Sequence, residues 1–117
     1  MTLGIFLQPE SSLASSSSQY QCLSSVVWAE ARGESDEGKR AVAYVVINRS
    51  RQSGQSICGT TREAGQFKYR RPPISFKLPT LLRDPTQGAT SFQKKSLRSW
   101  NGLRRRITIG NHTFYGK

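Results

Sequence analysis

Histidine, cysteine and acidic residues are all scarce in this chain of 117 residues. A single histidine, His112, cannot build a His-rich metal centre. Two cysteines, Cys22 and Cys58, cannot supply a four-thiolate zinc site or a scaffold of several bridges. No metal site is expected, and no cofactor. A nucleophilic Cys–His pair lacks support as well, because neither cysteine stands in a nucleophile motif. The two thiols are compatible with one bridge, worth roughly 3–4 kcal/mol in the loop-entropy picture, and equally with two buried free cysteines. No apolar run approaches the roughly 18 residues of a membrane-spanning helix, so a transmembrane segment is excluded.

Only seven Asp and Glu face eighteen Lys and Arg, a formal net charge of +11. So basic a surface calls for an anionic partner: nucleic acid, a membrane, or an acidic polymer such as a bacterial wall. No nucleic-acid fold or RNA-binding motif accompanies the charge, which sets nucleic acid aside. Hydrophobic residues make up 35% of the chain, enough for the modest core of a single domain.

Residues 1–20 read as a flexible arm, and residues 21–117 as the working domain. The arm holds Pro9, a serine cluster at Ser11, Ser12 and Ser15–Ser18, and no Lys or Arg. Without a positive start, and with only Leu3–Leu7 as an apolar stretch, it makes a poor secretory signal. An arm of this composition stays flexible or orders on a partner.

From Tyr20 to Arg51 the pattern is helical twice. Leu23, Val26, Val27, Glu30 and Ala31 share one face of a first helix, which Gly33 stops. Ser35 is the candidate N-cap of a second helix, with Asp36 and Glu37 in its first turn and a stripe of Ala41, Val42, Val45 and Val46. Beyond Ser50, glycines and prolines forbid long helices. Gly88–Leu97 can hold a short strand or helix. Arg106–Ile109 and Thr113–Tyr115 have strand composition around a Gly110–Asn111 turn. The fold class is therefore a small α+β domain, an N-terminal helical pair followed by irregular and short β segments.

Glu30 is the most informative residue, a carboxylate on an apolar face. Burial there would favour its protonated form, which a general acid at neutral pH needs. The alternative is that Glu30 reaches solvent, or pairs with Arg32 or Arg40.

Trp28–Arg49, WAEARGESDEGKRAVAYVVINR, resembles the signature of the SleB-type cell wall hydrolases: an aromatic before EARGE, polar residues, Gly, AVA, a β-branched run and NR. The likeness continues through Ile57–Gly59, Gln66–Phe67, Asp84–Thr86, Gly88–Ala89, Phe92, Trp100 and Ile109–Tyr115, in family order. The resemblance implies a lysozyme-like fold, related to resuscitation-promoting-factor domains, acting on peptidoglycan between N-acetylmuramic acid and N-acetylglucosamine. It implies a lytic transglycosylase with Glu30 as its acid. A hydrolysing muramidase and a non-catalytic wall-binding or virion protein are the alternatives. Small size and high charge suit a phage lytic protein that reaches the wall through a membrane lesion or on a virion, where the Ser-rich arm would order on other virion or lysis proteins.

Substrate-binding candidates are Gln66, Phe67, Trp100, His112, Tyr115 and Glu34, since sugars offer apolar faces edged with hydroxyls. Glu34 has competing roles in capping or in a salt link to Arg32 or Lys39, and Asp84 before Pro85 reads as a turn former. Family members carry a further helix-length stretch before the DPT block. Here Lys68–Arg83 stands instead, with three prolines and five basic residues. Its Lys68–Arg71 cluster, with Lys94–Lys95–Arg98 and Arg104–Arg106, can hold an acidic wall polymer or simply be solvated.

Overall fold

The computed structural model describes residues 3–63, 65–94 and 104–116, and the side chains from residue 17 onward except 105 and 106. Three helices, α1 (Leu3–Ala31), α2 (Asp36–Ser53) and α3 (Ile57–Thr61), precede three strands, β1 (Ser91–Lys94), β2 (Arg104–Ile109) and β3 (His112–Gly116). The architecture is α+β, as expected. The first helix begins at Leu3 and runs through the serine-rich segment read as an arm. Its first described attachments to the rest of the fold are at Ser18 and Gln19, where the Ser18 carbonyl and the Gln19 amide oxygen meet Cys58.

Local chemistry sets the helix ends. Ser35 caps α2 by accepting the Gly38 N–H, and Asp36 and Glu37 lie in its first turn. Gly54 closes it in the left-handed region at φ 74°, donating to the Ser50 carbonyl. Between α1 and α2 the Glu34 N–H bonds the Ala31 carbonyl, so the reversal at Gly33 is tight. The two helices press Leu23, Val26, Val27 and Ala31 against Ala41, Val42, Val45 and Val46, with Ala89 and Phe114 completing the fully buried core. Each buried Val or Leu contributes about 1.5–3 kcal/mol by leaving water.

The strands form one antiparallel sheet in the order β1-β3-β2. β2 and β3 are joined by the two residues Gly110–Asn111, with Ile109 opposite His112. Gly110 has φ 58°, the sign that a type II′ turn requires at its first central position. A Cβ built there would run into the Glu34 carboxylate, so glycine is needed for conformation and for space. β3 is buried along its whole length.

The irregular stretch before β1 hangs on the polar side of α2. Arg40 Nε donates to the Thr80 carbonyl at 2.8 Å, the Tyr44 hydroxyl to that of Leu81 at 2.9 Å, and Asn48 Nδ2 to that of Ala89 at 2.9 Å. These residues stand four apart on one helix stripe. Asn48 also donates to Asp84, whose carboxylate further accepts the N–H groups of Thr86 and Gly88 and the Thr86 hydroxyl. Asp84 is thus the turn former the sequence implies. Burial raises the proton affinity of its carboxylate, but the bonds from Thr86, Asn48 and Gly88 outweigh it and hold the group below the usual carboxylate range.

Cys22 and Cys58 form a disulfide between α1 and α3, with Cα atoms 5.2 Å apart across a separation of 36 residues. This settles the choice the sequence left open. Replacing both cysteines with serine is expected to lower unfolding free energy by about 4 kcal/mol, read from urea midpoints. The wild type measured in excess dithiol should approach the same midpoint.

Asp84→Asn would turn an amide N–H toward donors and is expected to cost about 2–3 kcal/mol at neutral pH. Because the folded-state carboxylate titrates below its unfolded value, its stabilisation is complete above the unfolded value of about 4. It is lost as pH falls through the depressed folded value. The gap in urea midpoint between wild type and Asp84→Asn should therefore hold from pH 7 to 5 and shrink at lower pH.

Candidate active site

The buried stripe of α1 ends at its last turn, where Glu30 emerges half-buried at the wall of a groove of about 390 Å³. Chain from three places completes the lining: Arg49 near the end of α2, Gly65–Lys68 from the irregular segment, and Phe92, Gln93, Lys94 and His112 from β1 and β3. Glu30 Oε2 accepts the Lys68 backbone N–H at 2.9 Å. Oε1 has no hydrogen-bond partner among the described residues. One oxygen is therefore anchored and the other is available to a ligand.

Neither cation considered as a partner for Glu30 takes that part. Arg32 donates to the Trp28 carbonyl and lies over the Trp28 ring, and Arg40 pairs with Glu37.

Arg49 organises the wall opposite. Its guanidinium donates to the Thr90 carbonyl from Nε at 3.1 Å and from Nη2 at 2.8 Å, and from Nη1 to Gln66 Oε1 at 2.8 Å. It also covers the Phe67 ring at 4.6 Å. One rigid fork thus sets the amide of Gln66 and the ring of Phe67. Burial lowers the proton affinity of Arg49 from its usual value, with the charge of Glu63 opposing.

His112 lies at the floor, 8% exposed, its ring edge-on to Phe92 with centroids 5.1 Å apart. Burial lowers its proton affinity; Glu34 and Glu30 raise it and Lys94 lowers it further, with a net shift downward. The ring is therefore neutral at pH 7, and its buried Nδ1 has no partner among the described residues.

Of the sequence candidates, Glu30, Gln66, Phe67 and His112 meet in this groove. Tyr115 does not reach it: the side chain is 2% exposed, and its hydroxyl accepts from the Gln93 amide at 3.2 Å, supporting the lining from behind. Glu34 does not line it either. Asn111 donates to Glu34 through its backbone N–H at 3.2 Å and its side-chain amide at 3.0 Å, tying the helix junction to the β2–β3 turn. Desolvation pushes the Glu34 carboxyl up, but the Asn111 bonds and the nearby His112 and Lys39 leave it below the usual carboxylate range. The expected link to Lys39 runs instead from the lysine amine to the Glu34 backbone carbonyl. Trp100 falls outside the described residues.

Sequence reading missed Arg49, Gln93 and Lys94 as lining residues, and named Phe92 as one of the motif blocks and not as a lining residue. Arg49 carried a signal, a cation closing a β-branched helical run, but its targets are 17 and 41 residues away and invisible to helical periodicity. No group of three or more metal-ligating side chains occurs among the described residues. Glu30 is the sole carboxylate lining the groove among those residues.

Comparison with known proteins bears on the family and the fold. The family model for cell wall hydrolases matches residues 33–115. The catalytic domain of the Bacillus cereus SleB protein superposes with a TM-score of 0.65 at 22% identity, covering 83% of this chain and 88% of that one. The catalytic domain of the germination-specific lytic transglycosylase SleB from Bacillus anthracis gives 0.61 at 22% identity, covering 83% and 93%. At that identity the likeness is one of fold. Among curated proteins none matches the chain. Folded like the SleB catalytic domains and matched by the family over most of its length, this chain belongs to the cell wall hydrolases.

Proposed function

We propose that the chain cleaves the glycan strands of peptidoglycan between N-acetylmuramic acid and N-acetylglucosamine as a lytic transglycosylase, with Glu30 as both acid and base. The supporting observation is that one carboxylate, and not two, faces the groove among the described residues. Direct hydrolysis by the usual routes uses a facing pair of carboxyl groups. Glu34 and Asp84 are committed elsewhere to Asn111 and to the Asp84–Gly88 turn. A single carboxyl is sufficient where the substrate supplies its own nucleophile.

The steps balance without water. Protonated Glu30 gives its proton to the glycosidic oxygen as the C1–O4 bond breaks, and an oxocarbenium-like centre develops at C1 of the muramic residue. The leaving N-acetylglucosamine departs with a free 4-hydroxyl. Glu30, now a carboxylate, takes the proton of the muramic C6 hydroxyl while O6 bonds to C1. A 1,6-anhydromuramoyl end results, and Glu30 is protonated again.

The Lys68 N–H on Oε2 holds the carboxyl in place through both transfers. The amides of Gln66 and Gln93 suit the sugar hydroxyls and acetamido groups, and neutral His112 can donate or accept at the floor.

Mass spectrometry of digested purified peptidoglycan tests the assignment. Wild type should release anhydromuramoyl products, and Glu30→Gln should lose at least about a hundredfold in rate while keeping its melting temperature. Reducing muramic ends would replace the transglycosylase with a hydrolase. An absence of products from wild type would leave a wall-binding protein.

Arg49→Lys keeps the charge but loses the fork. It is expected to lower kcat/KM about tenfold, the loss of roughly one charge-assisted hydrogen bond, chiefly through KM.

A further inference from the structure

Next to the groove lies a second hollow, of about 360 Å³, bordered by Ala29, Arg32, Lys68, Tyr69 and Arg70. It shares Lys68 with the groove, so the two meet beside the residue that anchors Glu30. Three of its five lining residues are cationic, and none is acidic. Among the described residues, the ion pair Arg40–Glu37 leaves all three of these cations without a carboxylate partner.

One of the three cationic groups is held by its side chain and a second stands on a fixed backbone. The Arg32 guanidinium donates to the Trp28 carbonyl at 3.2 Å and lies 5.5 Å from the Trp28 ring centre. Arg70 is fixed at its backbone, where its N–H meets the Ser25 carbonyl at 3.2 Å. Tyr69 lies against α1, with its hydroxyl 3.8 Å from the Cys22 sulfur.

Like charges gathered around one concavity repel each other, and an anion seated among them adds an attractive term with each, which opposes that repulsion. In a peptidoglycan strand free of attached polymers the sugars are neutral. The negative charge resides in the carboxylates of the peptide carried on the lactyl group of muramic acid. A muramic residue bound beside Glu30 would carry that peptide out of the groove.

We propose that this basic hollow is a subsite for a stem-peptide carboxylate, through which the protein distinguishes peptide-bearing strands from denuded ones. The proposal rests on the peptidoglycan reading above and names the part of the substrate that the glycan groove does not hold.

The test uses sacculi freed of teichoic acid, half of them stripped of stem peptides with an amidase and the lactyl carboxylates so exposed then capped as methylamides by carbodiimide coupling, so that the stripped strands carry no carboxylate. Wild type is expected to show a KM about tenfold lower on the peptide-bearing material, the value of about one charge-assisted hydrogen bond. Arg70→Gln, alone or with Arg32→Gln, should raise that KM while leaving kcat, and the KM on denuded strands, unchanged. Arg70→Lys should restore part of the preference. Equal kinetics of wild type on the two substrates, or an equal effect of Arg70→Gln on both, would overturn the subsite.

Co-sedimentation of the Glu30→Gln protein with the same two materials separates this proposal from the catalytic one. Tighter binding to peptide-bearing sacculi that disappears on adding Arg70→Gln supports the subsite even if wild type cleaves nothing, an outcome that removes only the catalytic reading. Equal binding to both materials overturns the subsite and leaves cleavage standing. A preference seen only when teichoic acid is retained would overturn it in favour of a phosphodiester polymer.

Discussion

Hydrogen bonds from the polar side of α2 to a chain with little regular structure hold most of this molecule in shape. Arg40, Tyr44, Asn48 and Arg49 donate in turn to the carbonyls of Thr80, Leu81, Ala89 and Thr90. Loops bury few of their own backbone groups, so such a segment needs partners from elsewhere. A helix with an apolar stripe on one side and long donors on the other meets both needs. Its valines bind α1, and its donors deliver the chain to the start of β1. Without that, neither Phe92 nor the Gln93 amide would face Glu30 across the groove.

The same economy appears in the carboxylates. With seven in the whole chain, each described one has a distinct environment. Asp84 accepts four hydrogen bonds and sets a turn. Glu34 joins the helix junction to the strand hairpin, and the glycine at position 110 exists partly to admit it. Glu37 is spent on Arg40. Among the described carboxylates, Glu30 alone lines the groove, with one oxygen left over. Its chemistry follows from what its neighbours on the chain do not require of it.

Three basic side chains that meet no acid among the described residues, Arg32, Lys68 and Arg70, stand where the irregular segment crosses α1, beside the groove. The Lys68–Arg83 segment has two structural roles beside the groove. It anchors Glu30 through the Lys68 N–H, and through Phe76, edge-on to Trp28 at 5.2 Å, it covers the outer face of the first helix.

Much of this was legible in the residues. Helical periodicity placed Glu30 on the apolar face of α1 and Val42, Val45 and Val46 opposite. Ser35 and the Gly110–Asn111 pair announced a cap and a turn through conformations those residue types favour. These are short-range preferences, decided within a few residues, and the sequence by itself determined them. It also supplied the charge and the ordered motif blocks. The tertiary structure alone decided which side chains share a cavity. It brought Arg49 to Gln66 and Thr90, buried Tyr115 behind Gln93, turned Glu34 away to Asn111 and closed Cys22 onto Cys58. Each of these contacts joins residues 17 to 77 positions apart, and no local periodicity encodes so long a separation. They depend on how the chain returns across α2, an outcome of the whole packing and not of any one segment.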